Sequence, residues 1–274
     1  MLSSVIIVLR EALEAALIVS ILLAVGRLTG LRSRWCALAL FLGLMNSWLI
    51  AGFSSQIADS FDGAGQELLS VSLLSIIIIC LMGIGIYIVR AMNGVIVTLR
   101  DNIHSTPYQN RQLTIYLLLI GAVVCAVSRE GSEVWIYLAS FLHDSVAAYP
   151  AFIGGAIGMG IGASLGVIFY YGFLFVSYQH FLFVGILFLA LIAGGLSVQI
   201  VQDLMQTGFL DSTMPVWDTS GWVAENSLLG QLLYALIGYE ARPTALQLIV
   251  YVCVVSPFIV LSVWHRYKKP ENNS

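Results

Sequence analysis

Val5-Ile6-Ile7-Val8-Leu9-Arg10-Glu11-Ala12-Leu13-Glu14-Ala15-Ala16-Leu17-Ile18-Val19 is an apolar run with three charges at its centre. A later apolar run repeats the charged pattern as Arg129-Glu130-Gly131-Ser132-Glu133. Of the 274 residues, 59% are hydrophobic and only 10% charged, and the mean hydropathy is +0.93. Soluble domains carry about 25% charged residues, so the composition describes an all-α polytopic membrane protein. The six motif side chains are then the only Lys, Arg, Asp or Glu placed within hydrocarbon. One central charge costs about 2.5–3.5 kcal/mol, so six without partners cost roughly 15–20 kcal/mol. The fold has to pair, hydrate or ligate them.

A membrane helix needs about 20 apolar residues. Seven stretches qualify, at about 4–26, 36–55, 68–90, 113–141, 150–172, 180–203 and 244–264. The fourth is longer than needed and is expected to tilt or project. The first has no basic leader and no cleavage pattern before Arg27, which predicts a mature helix rather than a signal peptide. Arg27, Arg32 and Arg34 flank the first loop, Arg90, Arg100 and Arg111 the third, and Arg266, Lys268 and Lys269 lie in the tail. The alternate loops hold Asp59, Asp62, Glu67, Asp144, Asp203, Asp211, Asp218, Glu225 and Glu240 against one basic residue, Arg242. Positive charge marks the inner face, so the N-terminus is outside and the C-terminus inside.

The two motif helices then run in opposite directions. Spans one to three (about 1–95) and four to six (about 113–203) read as an inverted 3+3 repeat, an architecture whose sites lie where the repeats meet. An outer loop (about 204–243) and a seventh helix (about 244–264) complete a single domain over 1–274. Asn226–Gly238 in that loop is too short to span and is expected to lie in the interface or dock on the bundle. Pro243 is placed in the first turn of the seventh helix, where proline is tolerated. Gly154, Gly158, Gly162 and Gly166 form a row down one helix face, a surface for close approach by another helix.

Residues three apart share a helix face, so Glu11 pairs in direction with Glu14 and Glu130 with Glu133. If the two helices meet, four carboxylates surround one small volume, a set that suits a hard cation. Arg10 is placed four residues before Glu14 and Arg129 four before Glu133, each able to neutralise its own partner. That leaves Glu11 and Glu130 as the least neutralised pair. The bland alternative is two internal salt bridges and two protonated glutamates acting as polar glue. Spacing alone gives a cation or proton pathway and names no metal. Asp59, Asp62 and Glu67 are the tightest outer acidic group and a candidate outer access, though a turn and a helix-start acid would read the same way.

Other chemistries are poorly matched. There is no phosphate loop, nucleophile elbow or His-Glu-x-x-His helix. Cys36, Cys80, Cys125 and Cys253 are scattered within apolar runs and read as small apolar residues. His104 reads as loop, His180 and His265 as packing or boundary residues, and His143 beside Asp144 as a helix terminus. No enzyme activity, organic cofactor or nucleic-acid partner is expected, and the oligomeric state is not encoded legibly.

The two Arg-Glu-x-x-Glu motifs make the chain resemble the oxidase-dependent iron permeases, fungal and bacterial, whose hallmark is this pattern in the first and fourth helices. Ala12 and Ser132 depart from the usual residues. Gly65-Gln66-Glu67, Trp217-Asp218-Thr219-Ser220 and Gly238-Tyr239-Glu240-Ala241-Arg242-Pro243 resemble the bacterial branch. Ser70 stands where a second glutamate is expected. The resemblance implies iron (ferrous or ferric) carried into the cytoplasm across a bacterial inner membrane. Glu11, Glu14, Glu130 and Glu133 would be the metal ligands, with Arg10 and Arg129 in support. It also implies a separate periplasmic partner, a cupredoxin-like protein or a haem peroxidase, that oxidises or delivers the iron. Competing readings are a transporter of another divalent cation, a proton-coupled exporter on the same scaffold, and a non-transport subunit of a membrane redox complex.

Overall fold

The computed structural model describes residues 1–28, 31, 33–98, 108–142, 145–175, 178–211, 213–224 and 227–267. Among them the chain is all helical, with one isolated bridge between Pro215 and Thr244. The helices are α1 (Leu2–Leu28), α2 (Arg34–Gly52), α3 (Ser54–Ala58), α4 (Gly65–Thr98), α5 (Tyr108–Ala139), α6 (Ser145–Phe175), α7 (Tyr178–Gln206), α8 (Leu228–Ile237) and α9 (Ala245–Tyr267), with a 3-10 turn at Ser60–Gly63. Six of the seven apolar stretches lie largely on one helix each, while the second runs past α2 through Phe53 into α3. Five segments are long and apolar enough to cross a membrane: Arg34–Gly52, Gly65–Val89, Leu113–Ala139, Val146–Phe175 and Val184–Gln206. α1 matches them in length but carries Arg10, Glu11 and Glu14. α5, which holds the fourth apolar stretch, is 32 residues long, and α4 is 34.

Between membrane helices there is little hydrophobic drive to associate, so backbone approach over small residues takes its place. The glycine row of α6 lies against α1. A Cβ at Gly158 would stand 2.6 Å from the Val5 carbonyl oxygen, and one at Gly162 would stand 2.7 Å from Ala12 Cβ. Residue numbers rise together along this contact, so α1 and α6 run parallel. α2 and α5 are also parallel, with Ala39, Gly43 and Ser47 among the buried residues of α2. Gly43 meets Val127, and Gly131 meets Ser47. The Asn46 amide donates to Ser128 Oγ at 2.9 Å in the same seam. α1 and α5 are antiparallel where they meet, with the Tyr137 hydroxyl donating to Ser4 Oγ at 3.2 Å at one end of the contact. α4 packs on α5 and α7, and α9 on α7.

The long loop is folded into the bundle. Ser227 caps α8, its hydroxyl accepting from Gly230 N at 3.0 Å, and Gly238 ends it with φ +67°. Gly238 N donates to Tyr234 O at 2.8 Å and Tyr239 N to Leu233 O at 3.3 Å, the paired closure of a glycine-terminated helix. α8 docks on α7 and α1. Gly238 abuts Gly195, where an added Cβ would stand 3.0 Å from the Gly238 backbone. Gly195 precedes the α7 terminus at Gln206 by three turns, about 16 Å along the axis. Of the two expected placements, docking is therefore the observed one, and it is deep. Pro243 lies before α9 rather than in its first turn, because its carbonyl is engaged by Val216 N at 2.9 Å. Thr244 and Gln247 open α9 as a capping box: Thr244 N donates to Gln247 Oε1 at 2.6 Å, and Gln247 N to Thr244 Oγ1 at 3.4 Å.

The α1–α6 contact gives a controlled comparison. Gly158→Ala is expected to destabilise the purified protein by about 1–3 kcal/mol through overpacking. Gly160→Ala, with nothing within 4 Å of an added Cβ, is expected to leave it unchanged. Thermal melts in detergent distinguish the two, and equal melting temperatures would contradict the close backbone packing.

Candidate metal centre

Within each motif the small residue after the first glutamate lies at a helix contact, Ala12 at Gly162 of α6 and Gly131 at Ser47 of α2. The glutamates are thereby turned to the α1–α5 crossing. Glu11, Glu14 and Glu130 are 8%, 5% and 3% exposed. Each offers a carboxylate oxygen, and these oxygens lie within 4.8 Å of one another. Glu11 on α1 and Glu130 on α5 are thus neighbours across the crossing. Glu133 stands outside this trio, with its side chain 43% exposed.

Arg129 is the hub. Its Nη1 is 2.6 Å from Glu130 Oε1 and 3.8 Å from Glu14 Oε2, and its Nη2 is 3.3 Å from Glu133 Oε1. Its Nε donates to Ser70 Oγ on α4 at 3.0 Å. Arg10 pairs with Glu14 Oε1 at 3.3 Å and lies 4.9 Å from the centre of the Tyr234 ring on α8. Both within-helix pairs expected from the spacing are present. The expected ranking of the free glutamates needs correction: Glu130 makes the shortest ion pair of the cluster, because Arg129 is buried beside it and turns inward. Glu11 is the motif glutamate without an arginine contact among the described residues. Ser132, at a position where the motif departs from its usual form, bonds back to Arg129 O at 2.7 Å and stays out of the site.

α7 supplies side chains that the sequence reading missed. Gln199 Nε2 donates to Glu14 Oε2 at 2.9 Å. Asp203, assigned from the sequence to the outer loop, is half-buried at the end of α7, in the neighbourhood of Ser70 and Arg129. A carboxylate from α7 therefore comes to the place where a glutamate at position 70 was expected. Gln199 and Asp203 lie one helical turn apart, a polar i, i+4 pair on an apolar helix, and that was the available signal. The outer acidic group is divided. Glu67 is half-buried, its Oε2 enclosed and without a partner among the described residues, as is Asp203 Oδ2, whereas Asp59 is exposed. The Asp62 side chain, His104, His143, Asp144, Glu225 and the side chains of His180 and His265 lie outside the described residues.

On the opposite face of Glu11 and Glu130 is a cavity of about 390 Å³ between α1, α2, α5 and α6. Its only other polar lining residues are Ser20 and Tyr170; Val19, Leu23, Leu40 and Val127 form much of the wall. Between α7 and α9, Arg242 Nη2 pairs with Asp218 Oδ2 at 2.8 Å. Hydrogen bonds from Ser220, then the Arg242 pairing, hold the Asp218 carboxyl down to about 2. This loop contact is therefore present above the ordinary carboxylate range and is lost as pH falls toward 2.

The sequence model of the Iron permease FTR1 family matches residues 1–267. The ferrous iron permease EfeU of Escherichia coli (strain UTI89) is 26% identical over 261 residues, covering 94% of this chain and 93% of the relative. EfeU of Shigella sonnei is 26% identical over 258 residues (93% and 92%), and EfeU of Yersinia pestis 27% over 262 (93% and 90%). No solved structure matches. The chain belongs to the iron permease family.

Arg129 and Arg10 should differ sharply on substitution. Arg129→Met leaves Glu130 buried without its cation and is expected to cost about 3–5 kcal/mol. Arg10 has a side chain 46% exposed, so Arg10→Met is expected to cost about 1 kcal/mol or less. Denaturant or thermal unfolding of the metal-free protein measures both.

Proposed function

We propose that this member of the iron permease family carries iron ions into the cytoplasm across a bacterial inner membrane, bound in transit by Glu11, Glu14 and Glu130. The observation that carries the reading is the close approach of three buried carboxylate oxygens from two helices. Glu133 is the outermost ligand of the set, exchanging Arg129 for the ion as it passes. In the empty site Arg129 stands among three carboxylates and offsets their repulsion. An arriving cation competes with it for Glu130 and Glu14, so Arg129 disfavours an empty, strongly negative site and need not hold the ion itself.

Seven membrane helices with the N-terminus outside fit the packing. Exchanging spans one to three with four to six maps the parallel pair α1–α6 onto the parallel pair α5–α2 and leaves the antiparallel α1–α5 crossing in place. That is the relation an inverted repeat requires, and it sets the motifs face to face. Cations gather at the acidic outer side, where Asp59 and Asp62 lie, and move inward past Glu67 and Asp203. Beyond Glu11 and Glu130, the apolar cavity offers almost no ligands. An ion leaving on that side has to be hydrated, and an apolar stretch able to exclude water would serve as the inner barrier. The chain is a transporter rather than an enzyme: iron is its substrate, and any oxidation belongs to a separate periplasmic partner.

A second reading rests on the oxygen-only donor set, which suits manganese and other hard divalent ions as well as iron. Uptake assays with competing manganese separate the two. Glu11→Gln, Glu14→Gln and Glu130→Gln are each expected to lower iron uptake roughly tenfold or more, at unchanged amounts of protein in the membrane. Uptake undiminished in all three would sink the site.

A further inference from the structure

Two buried oxygen atoms at the motif cluster have no partner among the described residues: Glu130 Oε2 and Gln199 Oε1. Gln199 is 5% exposed and Glu130 3%. The Gln199 NH2 nitrogen donates to Glu14 Oε2 at 2.9 Å, and the amide oxygen, an acceptor, is left over. Buried polar atoms in folded proteins are nearly always bonded, and an exception calls for a physical reason. The neighbouring cations are already engaged. All three Arg129 nitrogens have partners, on Glu130, Glu133 and Ser70, and Arg10 lies on Glu14 and the Tyr234 ring. What remains is an amide oxygen beside carboxylates in excess over arginines, a donor set for a hard cation.

We propose that Gln199 is itself a ligand of the transported cation, its Oε1 adding a neutral oxygen to the carboxylates while its Nε2 holds Glu14 in place. This rests on the reading of the glutamates as the cation site. It brings α7 into that site as a third helix beside α1 and α5. A neutral donor also has a use that a fourth buried carboxylate lacks. Oxygen sites tune affinity through the number of charged ligands, and an ion in transit has to be released.

The test is anaerobic calorimetry of ferrous iron binding to the purified full chain in detergent, with melting temperatures taken with and without the metal. Gln199→Leu is expected to weaken binding roughly tenfold and to shrink the metal-induced rise in melting temperature accordingly; loss of the bond to Glu14 also lowers the metal-free melting temperature, so the rise, not the metal-free value, reports the ligand. Gln199→Glu, which keeps an oxygen and adds charge, is expected to bind at least as tightly as wild type and to transport more slowly. Wild-type affinity in Gln199→Leu overturns the assignment, as does a lowered metal-free melting temperature with an unchanged metal-induced rise. If Gln199→Leu does not fold, Gln199→Asn retracts the same amide by one methylene, and undiminished binding there overturns it equally. Glu11→Gln in the same assay keeps the two readings apart. Wild-type binding in that variant removes the glutamate site as a whole, whereas loss there with wild-type binding in the Gln199 variants removes Gln199 alone.

Discussion

The structure depends on keeping charge neutral where water is scarce. Glu11, Glu14 and Glu130 are nearly enclosed, and Arg129 is 9% exposed. None of these would persist alone in an apolar bundle, since an ion stripped of water without a partner costs several kcal/mol. Arg129 answers this by touching three carboxylates at once and binding Ser70 with its remaining nitrogen. One guanidinium thereby ties α5 to α1 and α4. Its planar fork of donors suits the task in a way that a lysine ammonium does not.

Close backbone packing leaves the charges free to meet. α6 lies against α1 through glycines, and α2 lies against α5 through Ala39, Gly43 and Ser47. These seams carry contact area without using the motif side chains. The residue inside each motif, Ala12 or Gly131, belongs to a seam, and its charged neighbours belong to the site. A larger residue at position 12 or 131 would push the helices apart and move the carboxylates with them. The sequence of each motif therefore serves packing and chemistry together.

Surroundings differ on the two faces of the glutamates. On one face, α4, α7 and α8 bring Ser70, Gln199, Asp203 and Tyr234 to the motif side chains. On the other, the cavity wall is almost wholly apolar. A transported cation would thus meet ligands on one side and a region that discourages dehydrated charge on the other. The deep seat of α8, fixed where Gly238 meets Gly195, adds a short helix to the polar face and closes part of it with an aromatic ring.

The sequence by itself determined that the chain is helical and apolar, where the long helices lie, and that two Arg-Glu-x-x-Glu motifs are the unusual charges. These follow from local properties: hydropathy over a helix length, and spacing around a helix. It also determined both i, i+4 ion pairs, which need no tertiary information. Only the tertiary structure decided that Arg129 bonds Glu130 more closely than Glu133, because that depends on which way a long side chain turns once α1 lies beside it. Only the tertiary structure brought Gln199 and Asp203 to the motifs, since a polar residue on α7 has no partner until α1 and α4 are packed against it. The depth of α8 was likewise beyond the sequence, for it is set by two glycine backbones far apart in the chain that meet because neither carries a side chain.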